Sequence, residues 1–152
     1  MSDEIKKVQI EIKRTGFPVT VGEFDLFFDS SLENLRKFLN LEEIIEAKTV
    51  ELEEVMAELA DTEEITDMAK QYDKAQMIMQ AQMEVAWDTT FGAGTFKKLY
   101  AKYPDLWALN SAFDAAGEAI AIEIQKIGDE RLEAVQGIKS DLLAKKAKKT
   151  AK

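Results

Sequence analysis

Apolar and polar residues alternate near the start of the chain. Val8, Ile10 and Ile12 are separated by Gln9, Glu11 and Lys13, the period of a half-buried strand. Gly16-Phe17-Pro18 interrupts this run, Val19-Thr20-Val21 resumes it, and Gly22-Glu23 turns the chain into Phe24-Asp25-Leu26-Phe27-Phe28. The pattern predicts a small antiparallel sheet of two or three strands, a hairpin over about residues 5–29. Two strands alone are marginal, so one face must pack on the helices that follow.

From Ser30 onward the period changes to that of a helix. Ser30 and Glu33 read as a capping box, and Leu32, Leu35, Phe38 and Leu39 mark an apolar face. Phe38, Ile45, Leu52 and Leu59 recur every seven residues, but Glu42 and Thr49 interrupt the interleaved positions. That favours an antiparallel helical hairpin over a long coiled coil. Asp61 and Glu64 offer a second capping box and a turn, followed by a helix over roughly 63–91. Its inner face reads Ile65, Met68, Tyr72, Ala75, Met79, Met83, Trp87 and Phe91.

Gly92-Ala93-Gly94 stops that helix, because glycine accepts the positive φ at which helices commonly end. Thr95 is placed to cap a short helix bearing Phe96, Leu99, Tyr100 and Tyr103, and Pro104 opens another. The last helix carries Leu106, Leu109, Phe113, Ala116, Ile120, Ile124 and Ile127 at three- and four-residue steps. Gly117 lies inside it at a cost of about 1 kcal/mol relative to alanine, which suggests close helix packing there. Beyond Gly137 the apolar pattern fades into lysines. The expected fold is mainly α with a small N-terminal antiparallel β element (α+β), a compact helical bundle. Residues 1–138 form one domain and residues 139–152 a basic, flexible tail.

Composition narrows the chemistry. At 152 residues there is material for one sizeable core, and 46% hydrophobic with 32% charged residues is too apolar for disorder. Cys and His are both absent, which removes disulfides, thiolate and imidazole catalysis, and Cys/His zinc sites. The net charge of −9 opposes non-specific binding to nucleic acid or anionic membranes. It is unevenly spread: residues 42–67 hold eleven acids against Lys48, while residues 139–152 hold six lysines against Asp141. These read as a solvated helix face and a basic tail, or as a docking surface for another copy's tail. No apolar run approaches the roughly 20 residues of a membrane span. Met1-Ser2-Asp3-Glu4 has no signal-peptide character, so a cytoplasmic location is expected.

Few constellations remain for catalysis. Glu84 and Asp88 share a helix face one turn apart, but no cleft is indicated that would separate their pKa values, and they read as solvated acids. Gly92-Ala93-Gly94-Thr95 lacks the preceding strand and the lysine of a phosphate-binding loop, so it reads as a helix–helix turn. Neither a cofactor nor a metal is expected. Methionines are concentrated at Met68, Met77, Met79 and Met83. Core packing accounts for most of them, but Met77 and Ile78 fall off the inner stripe. Those two are candidates for a surface that binds a partner helix or a second copy.

The stretch Trp87-Asp88-Thr89-Thr90-Phe91-Gly92-Ala93-Gly94-Thr95-Phe96-Lys97-Lys98-Leu99-Tyr100, with Tyr103-Pro104-Asp105 after it, carries a resemblance. It is similar to the helix–Gly-x-Gly–helix segment of tail assembly chaperones from siphophages and prophages of Gram-positive bacteria. The layout over most of residues 5–127 resembles theirs too, and the specific part is residues 87–105. The resemblance implies a non-catalytic protein that binds the long, helical, aggregation-prone tape measure protein in the host cytoplasm and is absent from the mature virion. It makes Trp87, Phe91, Gly92, Gly94, Phe96, Leu99, Tyr100 and Pro104 turn and packing positions. Such chaperones often have a frameshifted long form, and Ala144-Lys145-Lys146 permits the slippery codons GCA-AAA-AAG. The acidic helix and basic tail have no counterpart in the family pattern. The alternatives are a structural tail or connector subunit and a host module that binds another helix.

Overall fold

The computed structural model describes residues 5–60 and 68–150. The described residues are mainly helical, with a two-stranded antiparallel sheet at the N-terminal end. In chain order the elements are β1 (Gly16–Val21), β2 (Phe24–Asp29), α1 (Leu32–Leu39), α2 (Leu41–Ala60), α3 (Met68–Phe91), α4 (Thr95–Lys102) and α5 (Leu106–Thr150). The capping box expected at Asp61 and Glu64, and Ile65 of the inner stripe, lie outside the described residues.

The hairpin pairs Gly16 with Asp29 and Val21 with Phe24. Along β2 the pleat turns Leu26 and Phe28 inward while Asp25 and Phe27 face out. The Phe28 ring is wedged between Phe17, with centroids 5.2 Å apart, and Phe38 of α1, at 5.6 Å. At the tip, Gly22 has φ +59, and a Cβ there would come within 2.6 Å of the Tyr103 hydroxyl. The close approach lets the Glu23 N–H donate to that hydroxyl at 3.1 Å, which pins the turn to the end of α4.

The alternating run Val8–Lys13, expected as a strand, forms none, and Val8, Ile10 and Ile12 are strongly exposed. The reason is topological. β2 gives way to α1 directly after Asp29, so no strand stands beside the chain before Gly16, and the last link is the Ser30 N–H on the Thr15 carbonyl at 3.0 Å. Alternation fits a residue run to a sheet but cannot supply the neighbouring strand.

The first helix is capped one residue later than Ser30 suggested. The Ser31 hydroxyl accepts from the Asn34 N–H at 3.3 Å, and the Asp29 carboxylate accepts from the Ser31 N–H at 2.8 Å. That hydrogen bond, with the guanidinium of Arg14 paired to the same group, holds the Asp29 carboxyl below its ordinary value. Ser30 is buried instead, and its hydroxyl accepts from Arg131 of α5 at 3.2 Å. Asn40 breaks the following helical stretch in two, and α2 packs on α3, where the Gln82 amide donates to the Thr49 hydroxyl at 2.9 Å.

The core gathers Leu26, Leu41, Met83, Ala86, Trp87, Phe96, Leu99, Leu106 and Leu109. Trp87 is completely buried, stacked on Phe91 and met edge-on by Phe113. Pro104 does not open α5 itself. Asp105 caps it, its carboxylate accepting from the N–H groups of Trp107 and Ala108 at 3.1 Å each. Only the first part of α5 joins the core, through Leu106, Leu109, Ala116 and Ile120. At 45 residues the helix is about 67 Å long, and every residue from Gly128 to Ala147 is exposed. The tail expected to be flexible continues this helix to Thr150, since alanine, leucine and lysine are strong helix formers. Gly117 permits no close approach: a Cβ there would meet nothing within 4 Å.

Candidate functional site

Two neighbouring features are built where α3, α4 and α5 meet. The first is the corner between α3 and α4. Gly92 and Gly94 take φ of +115 and +87, and this reverses the chain in three residues. The Thr95 hydroxyl donates to the Gly92 carbonyl at 2.7 Å, so it satisfies the end of α3 rather than capping α4. The α4 cap comes from across the corner: the carboxylate of Asp88 accepts from the Phe96 N–H at 2.9 Å. A residue read as a solvated acid therefore fixes the angle between two helices, and with the Phe96 N–H taken the corner holds no phosphate cradle. Trp87, Phe96 and Leu99 are buried around it, Phe91 and Tyr100 are half-buried, and Pro104 is exposed at the entry to α5. The indole N–H of Trp87 and the hydroxyl of Thr90 are buried without a partner.

The second feature is an open trough of about 420 Å³ beside this corner. It is lined by Tyr72, Gln76 and Met79 of α3, Tyr100 of α4, and Pro104, Asp105 and Trp107 at the start of α5. Tyr72 and Met79 belong to the same stripe of α3 that is buried at Met83 and Trp87. Toward the start of α3 that stripe is less covered, half-buried at Met79 and exposed at Ala75 and Tyr72. Tyr72 is 67% exposed and Trp107 70% exposed, so two large aromatic side chains stand at the rim.

Met77 and Ile78, the residues singled out in the sequence, are not brought together. Met77 is 61% exposed on a side of α3 away from the trough. Ile78 is half-buried, one turn before Gln82 and on the same side of α3, which packs on α2. Trp107 escaped the sequence reading. Its signal was an aromatic side chain one position off the Leu106–Leu109–Phe113 stripe, too bulky for an ordinary solvent-facing position.

A larger hollow of about 630 Å³ lies between β2, α1 and the end of α3. Of its charged groups, Asp29 is paired with Arg14 and Ser31 and Asp88 with Phe96, and Lys37 lines it as well. Among the described residues no cluster of acids is placed to hold a metal ion, and no helix is long and apolar enough to cross a membrane. The trough can bury apolar surface, and its polar groups are the Gln76 amide, the Asp105 carboxylate and the hydroxyls of Tyr72 and Tyr100. Comparison with known protein families, curated sequences and solved structures finds no match for the chain.

Proposed function

We propose that the chain is a non-catalytic tail assembly chaperone that takes an apolar helix face of the tape measure protein into the α3–α5 trough. One observation carries this reading: Tyr72 and Trp107 stand exposed at the rim of an apolar trough on an acidic body. A solvent-facing tryptophan and tyrosine flanking a groove are the usual anchors of helix recognition. The −9 charge would keep the captured complex soluble by mutual repulsion. The resemblance over residues 87–105 supplies the partner's identity, and the same residues build the corner that orients α4 and α5 around the trough. On this reading the protein acts in the bacterial cytoplasm and leaves before the virion is complete.

Co-expression with the tape measure protein of the same phage or prophage tests the reading. The wild-type chain is expected to keep that protein soluble and to copurify with it, while finished particles lack the chain. Trp107→Glu is expected to reduce capture at least tenfold with the circular dichroism spectrum unchanged. Unaltered capture by Trp107→Glu, or the chain's retention in finished particles, would reject the proposal.

A further inference from the structure

The chain carries both halves of an unmade β-pairing, and neither half involves the trough. The first is the outer edge of β2. In an antiparallel ladder every second pair exchanges hydrogen bonds. The bond from the Ser30 N–H to the Thr15 carbonyl, at 3.0 Å, continues that series, which therefore runs through Phe17–Phe28, Val19–Leu26 and Val21–Phe24. The backbone groups of the residues between them point away from the hairpin. On β1 this outer edge is interrupted at Pro18, which has no N–H. On β2 the Asp29 carbonyl accepts from the Asn34 amide at 2.6 Å, but the N–H and carbonyl of Asp25 and of Phe27 have no partner among the described residues. Both residues are exposed.

The second half is the arm before the sheet. Val8, Ile10 and Ile12 are 80–93% exposed, and they alternate with Gln9, Glu11 and Lys13 as a strand would. The arm does not reach the outer edge of β2 in its own chain. Arg14 is paired with Asp29 and Thr15 with Ser30, which holds the end of the arm on the β1 side of the hairpin. We infer that Val8–Lys13 adds as an antiparallel third strand to the outer edge of β2 in a second copy of this chain. Side-chain rows match across a strand pair. Placing Val8, Ile10 and Ile12 on the buried face of Leu26 and Phe28 therefore puts Gln9, Glu11 and Lys13 on the face of Asp25, Phe27 and Asp29.

Charge then selects the register. With Glu11 opposite Phe27, Lys13 stands opposite Asp25, an acid that accepts only from the Thr20 hydroxyl among the described residues. A shift of two residues in either direction sets Glu11 against Asp25 or against Asp29, acid opposite acid. In the selected register the Asp25–Lys13 and Phe27–Glu11 pairs each exchange two backbone hydrogen bonds. The hollow of about 630 Å³ borders Phe27, and its Ile44 and Phe91 give the apolar row a surface to cover. Two β2 edges paired about Phe27 would instead set Asp25 opposite Asp29 and leave both arms bare. Six residues with three apolar side chains make a small contact, so the association is a concentration-dependent one.

Sedimentation equilibrium of the full chain, from one to several hundred micromolar, reads the association with no partner protein present, so its outcome is separate from that of the trough. The mean mass is expected to rise above the monomer's across that range. Glu11→Pro removes the N–H that would donate to the Phe27 carbonyl, and Ile10→Asp charges the row to be covered. Each should weaken association at least tenfold with the circular dichroism spectrum unchanged, because both residues are exposed in the single chain. The cysteine-free sequence locates the contact. Under mild oxidation, a mixture of Glu11→Cys and Phe27→Cys chains should give a covalent dimer of one of each, since directly opposite strand residues lie within disulfide reach. Glu11→Cys mixed with Thr20→Cys should not. A chain monomeric throughout, or association indifferent to both arm variants, would overturn the inference. So would Glu11→Cys linking only to itself, which would mean that arm pairs with arm, or to Thr20→Cys, which would mean that the arm lies on β1.

Discussion

The two halves of α5 have similar hydrophobic periodicity and different fates. From Leu106 to Ile120 the stripe is buried against α3, α4 and the sheet; from Val135 to Leu142 residues of the same types on the same face stand in solvent. The difference lies in the neighbours, not in the helix. Opposite the first half stand Trp87, Phe96 and Leu99, whereas every residue from Arg131 to Ala147 is exposed. Periodicity identifies the face a helix will bury; what it is buried against is settled by the rest of the fold or by another molecule.

The same substitution in each half tests this most forcefully. Leu109→Ala should cost about 2–5 kcal/mol, because Leu109 is 3% exposed and its removal leaves a cavity in the core. Leu142→Ala, at a 60% exposed site, should change the stability of dilute protein by less than about 0.5 kcal/mol. Urea denaturation of both variants compares them directly, and equal losses would mean that the outer half is packed in the monomer.

Gly117 sharpens the comparison from within the inner half. Since a Cβ there meets nothing within 4 Å, Gly117→Ala should stabilise the protein by about 0.5–1 kcal/mol through helix propensity alone. A loss of stability in thermal melts would show that the helix is in fact pressed close at that turn.

The smallest effect is at the base of the sheet, beside the foot of α5. The folded protein holds the Asp29 carboxyl below its ordinary value through the Ser31 N–H and Arg14. A lowered folded value means stability that is present above the unfolded carboxylate value of about 3.9 and is lost as the pH falls through the lowered one. Asp29→Asn should therefore be slightly less stable than wild type near neutral pH, with the gap closing below about pH 4. A gap that persists unchanged in acid would assign the effect to geometry instead of charge.

Much of this architecture is legible in the residues. The mainly helical fold, the hairpin from Phe17 to Phe28, the glycine stop at Gly92 and the inner stripe of α3 from Met79 to Phe91 all follow from local signals, and each element agrees with its own propensity. What was not legible depended on non-local facts. Val8, Ile10 and Ile12 have the pattern of a strand, but β2 ends too soon to pair with them. Asp88 is a cap only because the two glycines fold α4 back onto it. The trough joins Tyr72 to Trp107 across 35 positions, and neither residue signals it alone. Met77 and Ile78 looked like one surface because they are adjacent, and a helix separates adjacent residues by about 100°.

The most direct test of partner capture uses the chain's two tryptophans as they stand. Trp87 is fully buried and Trp107 largely exposed, so acrylamide quenching of the wild-type protein reports mainly on Trp107. Titration with a soluble helical fragment of a tape measure protein, the proposed partner, should shift the emission to the blue and remove most of the quenchable fraction. Quenching that stays unchanged while the fragment demonstrably binds would place the partner elsewhere and contradict the trough as its site.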